Sequence, residues 1–167
     1  MKKTSTLSNK DIDKLLNQIP WFVNGTFDYA KYPISYIAVD AFSNDRQKIS
    51  NTIYLLTEMI LAGRKDALCF FYGLFEFFKD DIGTMQIIAE KLCRIENKQY
   101  VNFLFKQIEI TESNNTTRIY LNSLIKVLSF YQLEWIEDGF RSLIENKKFS
   151  YRMKQKFLEI LAYKTGY

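Results

Sequence analysis

From Ser8 to Lys164 apolar residues recur almost throughout at three- and four-residue spacing, and the punctuation between periodic stretches is two to five residues long. That period is one face of an α-helix, not the strict alternation of a strand. Connections so short force successive helices to lie antiparallel beside one another. About nine helices are expected, over 8–18, 35–42, 46–61, 65–79, 82–94, 98–110, 116–131, 133–145 and 150–164. Ser8 with Asp11 three residues on imitates a capping box for the first, and Ser43-Asn44-Asp45 caps the third, which Gly63 ends. Ile49, Ile53, Leu56 and Ile60 give the third its apolar stripe. The fourth is apolar on nearly all sides, with Leu68, Phe70, Phe71, Leu74, Phe75 and Phe78, and reads as a central covered helix. Strands are not needed, since the one hairpin-type pair, Asn24-Gly25, is not flanked by alternating runs.

A degenerate repeat runs through these helices. Thr117-Arg118-Ile119-Tyr120 through Leu124 and Val127 matches Tyr151-Arg152-Met153-Lys154 through Leu158 and Leu161 at a shift of 34, while Tyr100, Val101, Phe105 and Ile108 match Trp135, Ile136, Phe140 and Leu143 at 35. Helix pairs at this period cannot bury their apolar faces alone and must stack on their neighbours. The fold class expected is therefore all-α, antiparallel helix pairs stacked as a short HEAT/ARM-like α-solenoid, against an irregular helical bundle. Residues 1–167 read as one domain, 1–45 holding the N-terminal helices and an aromatic loop and 46–167 the stacked pairs.

Several function classes fall away on composition. The 167 residues contain no His, so the commonest metal ligand and the usual acid-base group near neutral pH are missing. Two cysteines, Cys69 and Cys93, make no disulfide framework and sit in apolar helical patterns, where buried thiols are expected. No cofactor fingerprint, metal-ligand cluster or catalytic triad is present, so no cofactor, no metal and no catalytic residues are expected and the chain reads as a non-enzyme. The Met1-Lys2-Lys3 start has no apolar stretch behind it, and the longest apolar run, 67–78, falls short of the ~20 residues that a membrane helix needs. A cytoplasmic location without membrane contact is the expectation.

Charge is unevenly placed. The last 22 residues carry six cations and one acid, whereas residues 96–145 carry five cations and seven acids. Lys147, Lys148, Arg152, Lys154 and Lys156 read either as a phosphate-binding edge for nucleic acid or as the polar outer face that an end repeat requires. Glu134, Glu137 and Asp138 stand three and four apart on one helical face, with Arg141 placed to pair with Glu137. Glu76, Asp80 and Asp81 close the apolar fourth helix at the end its dipole disfavours. These two acidic groups are candidate partner-binding residues. Tyr29 and Tyr32, in an aromatic-rich segment with Trp21, Phe22 and Tyr36, read as a packed flap or as interface anchors.

A small, motif-poor, helix-rich chain of this kind resembles the all-α immunity proteins of bacterial polymorphic toxin and contact-dependent growth inhibition (CDI) systems. The Thr117-Arg118-Ile119 and Tyr151-Arg152-Met153 helix starts and the aromatic-rich helices between them carry the likeness. The resemblance implies tight, stoichiometric binding of a cognate toxin domain, often a nuclease, with its active site or substrate surface blocked. Immunity proteins against nucleases are commonly acidic, and the net charge of +4 departs from that pattern. Glu134, Glu137, Asp138, Asp80 and Asp81 would then supply a local acidic face. A nucleic-acid-binding helical-repeat protein or a general helical adaptor is the alternative.

Overall fold

The computed structural model describes residues 8–91 and 95–166. Among them are nine helices and one two-stranded ribbon: α1 (Asn9–Leu16), β1 (Phe22–Val23), β2 (Thr26–Phe27), α2 (Ser35–Ala41), α3 (Arg46–Leu61), α4 (Lys65–Phe77), α5 (Ile82–Glu90), α6 (Lys98–Ile110), α7 (Arg118–Leu128), α8 (Leu133–Glu145) and α9 (Tyr151–Thr165). The protein is an all-α helical-repeat chain. Its contacts divide into two compact units, with the division between Phe70 and Phe71.

In the first unit, Ser8 and Asp11 form the expected capping box at the start of α1. The ribbon is the exception to the strand-free expectation. Asn24 and Gly25 both adopt positive φ, 52° and 79°, the conformation that a two-residue hairpin turn matching strand twist requires. Two-residue strands are too short to display alternation, so the turn pair alone carried the signal. Phe22 faces Phe27 across the ribbon, their ring centroids 5.5 Å apart. Farther on, α2 packs on α3, whose first turn is capped by the Asp45 carboxylate accepting from Gln47 and Lys48 N–H. At the other end of α3, Gly63 at φ +86° lets Arg64 N–H reach Met59 C=O and its own N–H reach Ile60 C=O, the paired closure that needs a left-handed residue just past the helix.

The second unit is built layer on layer. α5 packs on α7, α6 on both α7 and α8, and α8 on α9. Tyr100, in the first turn of α6, lies 6.4 Å from Tyr131, just past the end of α7, and Tyr120 at the start of α7 donates to Gln107 near the end of α6, so these neighbours are antiparallel. The repeat register becomes physical contact. Phe105 and Phe140, 35 positions apart, meet with ring centroids 5.2 Å apart, and Lys156 Nζ donates to Asn122 Oδ1 across 34 positions at 2.8 Å. Phe71, Leu74, Ile88, Leu104, Leu124 and Phe157 are among the side chains fully buried in this unit.

Two expectations for α4 are corrected. Cys69 is exposed, because it shares a solvent-facing side with Gly73, Glu76 and Phe77, at helical spacings of four, three and one, whereas Ala67, Phe71, Leu74 and Phe75 form the buried side. The helix is thus amphipathic, with Phe77 61% exposed, and not covered all round. Cys93 lies outside the described residues, as does the end expected for the fifth helix.

Candidate functional site

α7 and α9 run parallel in the repeat, so their N-terminal ends come together and so do their C-terminal ends. Between them lies a groove in two connected parts that share Asn122 and Lys156. The N-terminal part, about 570 Å³, is lined by Arg118 from the first turn of α7 and by Arg152 and Lys156 from α9, with Ser113, Asn114 and Ser150 around them. No acidic residue lines it. Both helices add the positive end of their dipoles here. Ser150 caps α9 by accepting from Met153 N–H, while Thr117 at the start of α7 makes no side-chain cap. Instead the Thr117 hydroxyl donates to Glu112 C=O and Asn114 folds back on Thr116 and Thr117 N–H, which holds the loop at the rim of the pocket.

The C-terminal part, about 730 Å³, is apolar. Ile125 and Ile160 form its floor, and Phe130 and Tyr163 stand at its edge 59% and 82% exposed, with Lys126, Lys164 and Glu159 at the margin. Exposed aromatics beside a concave apolar floor are what binding surfaces use as anchors.

The basic residues read from the sequence divide. Arg152 and Lys156, four apart on α9, both face the groove. Lys148 does not: its ammonium donates to Glu109 C=O and sits 5.6 Å from the Phe149 ring, and partial burial pulls its pKa below the ordinary lysine value against the raising fields of Glu112 and Glu109. Lys147 is exposed and Lys154 half-buried, both outside the groove lining. The five cations therefore form no continuous edge.

The acidic residues divide as well. Glu134 and Asp138 line a shallow groove of about 380 Å³ together with Lys98 and Lys106 of α6, so that face is of mixed charge. Glu137 pairs with Arg141 one turn on, at 2.6 and 3.0 Å. Glu76 pairs with Lys79 at 2.7 Å. Asp81, at the unfavourable end of α4, is explained by the next helix: it is the N-cap of α5 and accepts from the Thr84 N–H and hydroxyl at 3.1 and 2.7 Å. Asp80 is exposed. Replacing Asp81 with Ala is expected to cost about 1 kcal/mol of stability, and replacing Asp80 with Ala less than about 0.5 kcal/mol. Urea midpoints of the two variants check this. Equal losses would remove the capping role.

Tyr29 and Tyr32 are half-buried in the first unit. Burial, with Tyr54 and Glu58 beside it, raises the Tyr29 phenol pKa. The Tyr32 ring packs against Trp21, Phe27 and Tyr36 at 5.7, 5.9 and 6.2 Å, and its carbonyl accepts from the Arg64 guanidinium, which also grips Asp66. Tyr32 is packed within its aromatic segment, and Tyr29 lies between Phe27 and Tyr54 of α3. Arg118, Phe130 and Tyr163 are groove residues absent from the candidates read from the sequence, and for Arg118 a signal was present. The shift of 34 already set it on Arg152, and in a stack aligned residues are neighbours.

No protein-family model, curated protein or solved structure matches the chain. Among the described residues no helix is long and apolar enough to cross a membrane.

Proposed function

We propose that this chain is a non-catalytic binding protein that holds a segment of a partner protein in the α7–α9 groove. The observation that carries the reading is the groove itself, an apolar floor edged by exposed Phe130 and Tyr163 and continuous with a cationic end free of acids. Stacked helical repeats work by presenting such an extended surface. Charge complementarity makes the occupant a segment with both acidic and apolar side chains. Taken with the sequence resemblance, the partner is a toxin domain that the chain neutralises in the cytoplasm by covering it. The surface covered would then be acidic, so a basic nuclease cleft is not the face engaged here.

The test is capture by tagged chain from its native lysate, without nuclease treatment, comparing wild type with Phe130→Asp/Tyr163→Asp. One stoichiometric protein should survive high salt on the wild type and fall at least about tenfold on the variant, since anchor residues carry most of the affinity. Expressed alone, that protein should be toxic, and the wild-type chain should relieve the toxicity. Undiminished capture by the variant would remove the groove from the reading, and a harmless captured protein would remove the toxin. Nucleic acid that elutes as salt rises, with no protein partner, would move the function to phosphate-backbone binding.

A further inference from the structure

We propose that Arg118, Arg152 and Lys156 form a binding site for a phosphate monoester at the N-terminal end of the α7–α9 groove. The site lies within the groove of the preceding reading, yet it stands on its own observations. Three cations from two helices line one concavity of about 570 Å³ in which no acidic residue is present. Neither Arg118 nor Arg152 has an acidic partner within 4.0 Å among the described residues. Two other arginines are paired, Arg64 with Asp66 and Arg141 with Glu137, whereas Arg46 has no acidic partner among the described residues but lines no cavity with other cations.

The chemistry favours phosphate over carboxylate. A carboxylate brings one negative charge, whereas a phosphate monoester brings about −1.5 to −2 at neutral pH and three acceptor oxygens. Three cationic side chains and the first turns of two parallel helices are better matched by the second. Guanidinium groups bind phosphate through paired N–H donors, while an ammonium acts as a point charge. Lys156 is half-buried and its Nζ is already held 2.8 Å from Asn122 Oδ1, so less side-chain freedom is lost when an anion arrives. Ser113, Asn114 and Ser150 place hydroxyl and amide groups around the same space. Lys148 is tied to Glu109 C=O, Lys147 and Lys154 lie off the groove lining, and Lys126 and Lys164 in the C-terminal part share its margin with Glu159, so the acid-free cluster of cations is confined to the N-terminal part. A single phosphate group fits this better than a polyanionic strand.

The phosphate could be carried by a small molecule or by a phosphorylated side chain of the partner, and the experiment separates them. The full chain is titrated with inorganic phosphate by calorimetry at constant ionic strength, with chloride as the control. Wild type should bind one equivalent, with affinity falling at least about tenfold in Arg118→Ala/Arg152→Ala as the paired donors are lost; Lys147→Ala should bind as wild type. Unliganded melting temperatures of all variants should match, because the changed side chains are exposed. Heat equal to that of chloride, or binding unchanged in the double variant, would overturn the site. Adenosine monophosphate and a phosphoserine peptide are then titrated in parallel, and the one bound more tightly than inorganic phosphate names the source. Partner capture that persists when phosphate fails to bind would overturn the site and leave the groove reading standing. Phosphate binding with capture unaffected by the groove variants would do the reverse.

Discussion

Replacing Phe140 with Ala is expected to remove about 3–5 kcal/mol of stability. Phe140 is fully buried on α8, with the Phe105 ring of α6 at 5.2 Å and the Phe157 ring of α9 at 5.5 Å. One side chain therefore joins three helices from successive layers. Truncating it strips both rings of contacts and leaves a cavity that the surrounding helices can only partly close. Against a total of about 5–15 kcal/mol for an ordinary domain, the loss is a large share and should lower the urea midpoint markedly. Equilibrium urea unfolding measures it, with Tyr163→Ala, at 82% exposure, as a control expected within about 0.5 kcal/mol of wild type. A loss for Phe140→Ala below about 1 kcal/mol would mean that the layers do not share this core.

The second large effect is at Gly139. In a helix interior Gly→Ala ordinarily gains up to about 1 kcal/mol. Here a Cβ would stand 2.5 Å from Phe105 Cε2 and Cζ and 2.7 Å from Cδ2. Phe105 is 7% exposed and packs on Phe140, so its ring can yield only by leaving that contact and turning out into the groove it lines. Gly139→Val should therefore destabilise by about 1–3 kcal/mol despite the gain in helix propensity. Phe105→Leu alone is also destabilising, but it vacates the space the valine needs. In a double-mutant cycle the two changes should couple favourably by about 1 kcal/mol or more. Additive effects would show that Gly139 is there for some reason other than the approach of Phe105.

What was legible in the sequence follows from how local each cause is. The bounds of α3, α6 and α8 match the expected ones: in α3 the apolar period agrees with a cap at Asp45 and a stop at Gly63, α6 is capped by Asn97, and α8, with no side-chain cap at Gln132, follows its period alone. α7 starts later than expected because Asn114 and Thr117 tie the preceding residues into a turn, a side-chain competition that periodicity does not register. The role of Asp81 was readable as an Asp three residues before Thr84, yet charge counting placed it in a cluster and hid the cap. The groove was half visible. Its α9 cations stood out as a run, while Arg118 carries no local signal and enters because α7 lies across the groove from α9. Exposure of Phe130 and Tyr163 depends on which helix faces are left uncovered, and no local pattern specifies that.

The stacking register also bears on time. In the second unit the bonds joining one layer to another link Glu90 with Ser123, Ile95 with Tyr131 and Asn122 with Lys156, all within about 40 positions along the chain. Closing such short intervals costs little chain entropy, and helical proteins with contacts this local fold in roughly microseconds to milliseconds. Each layer leans mainly on its neighbours, so layers can open one at a time. α9 buries only Phe157 and Leu161 whereas α7 buries seven residues, so α9 should exchange its amide protons before α7. The groove that α9 shares with α7 would then come and go with the opening of α9, and any occupant would slow amide exchange there first.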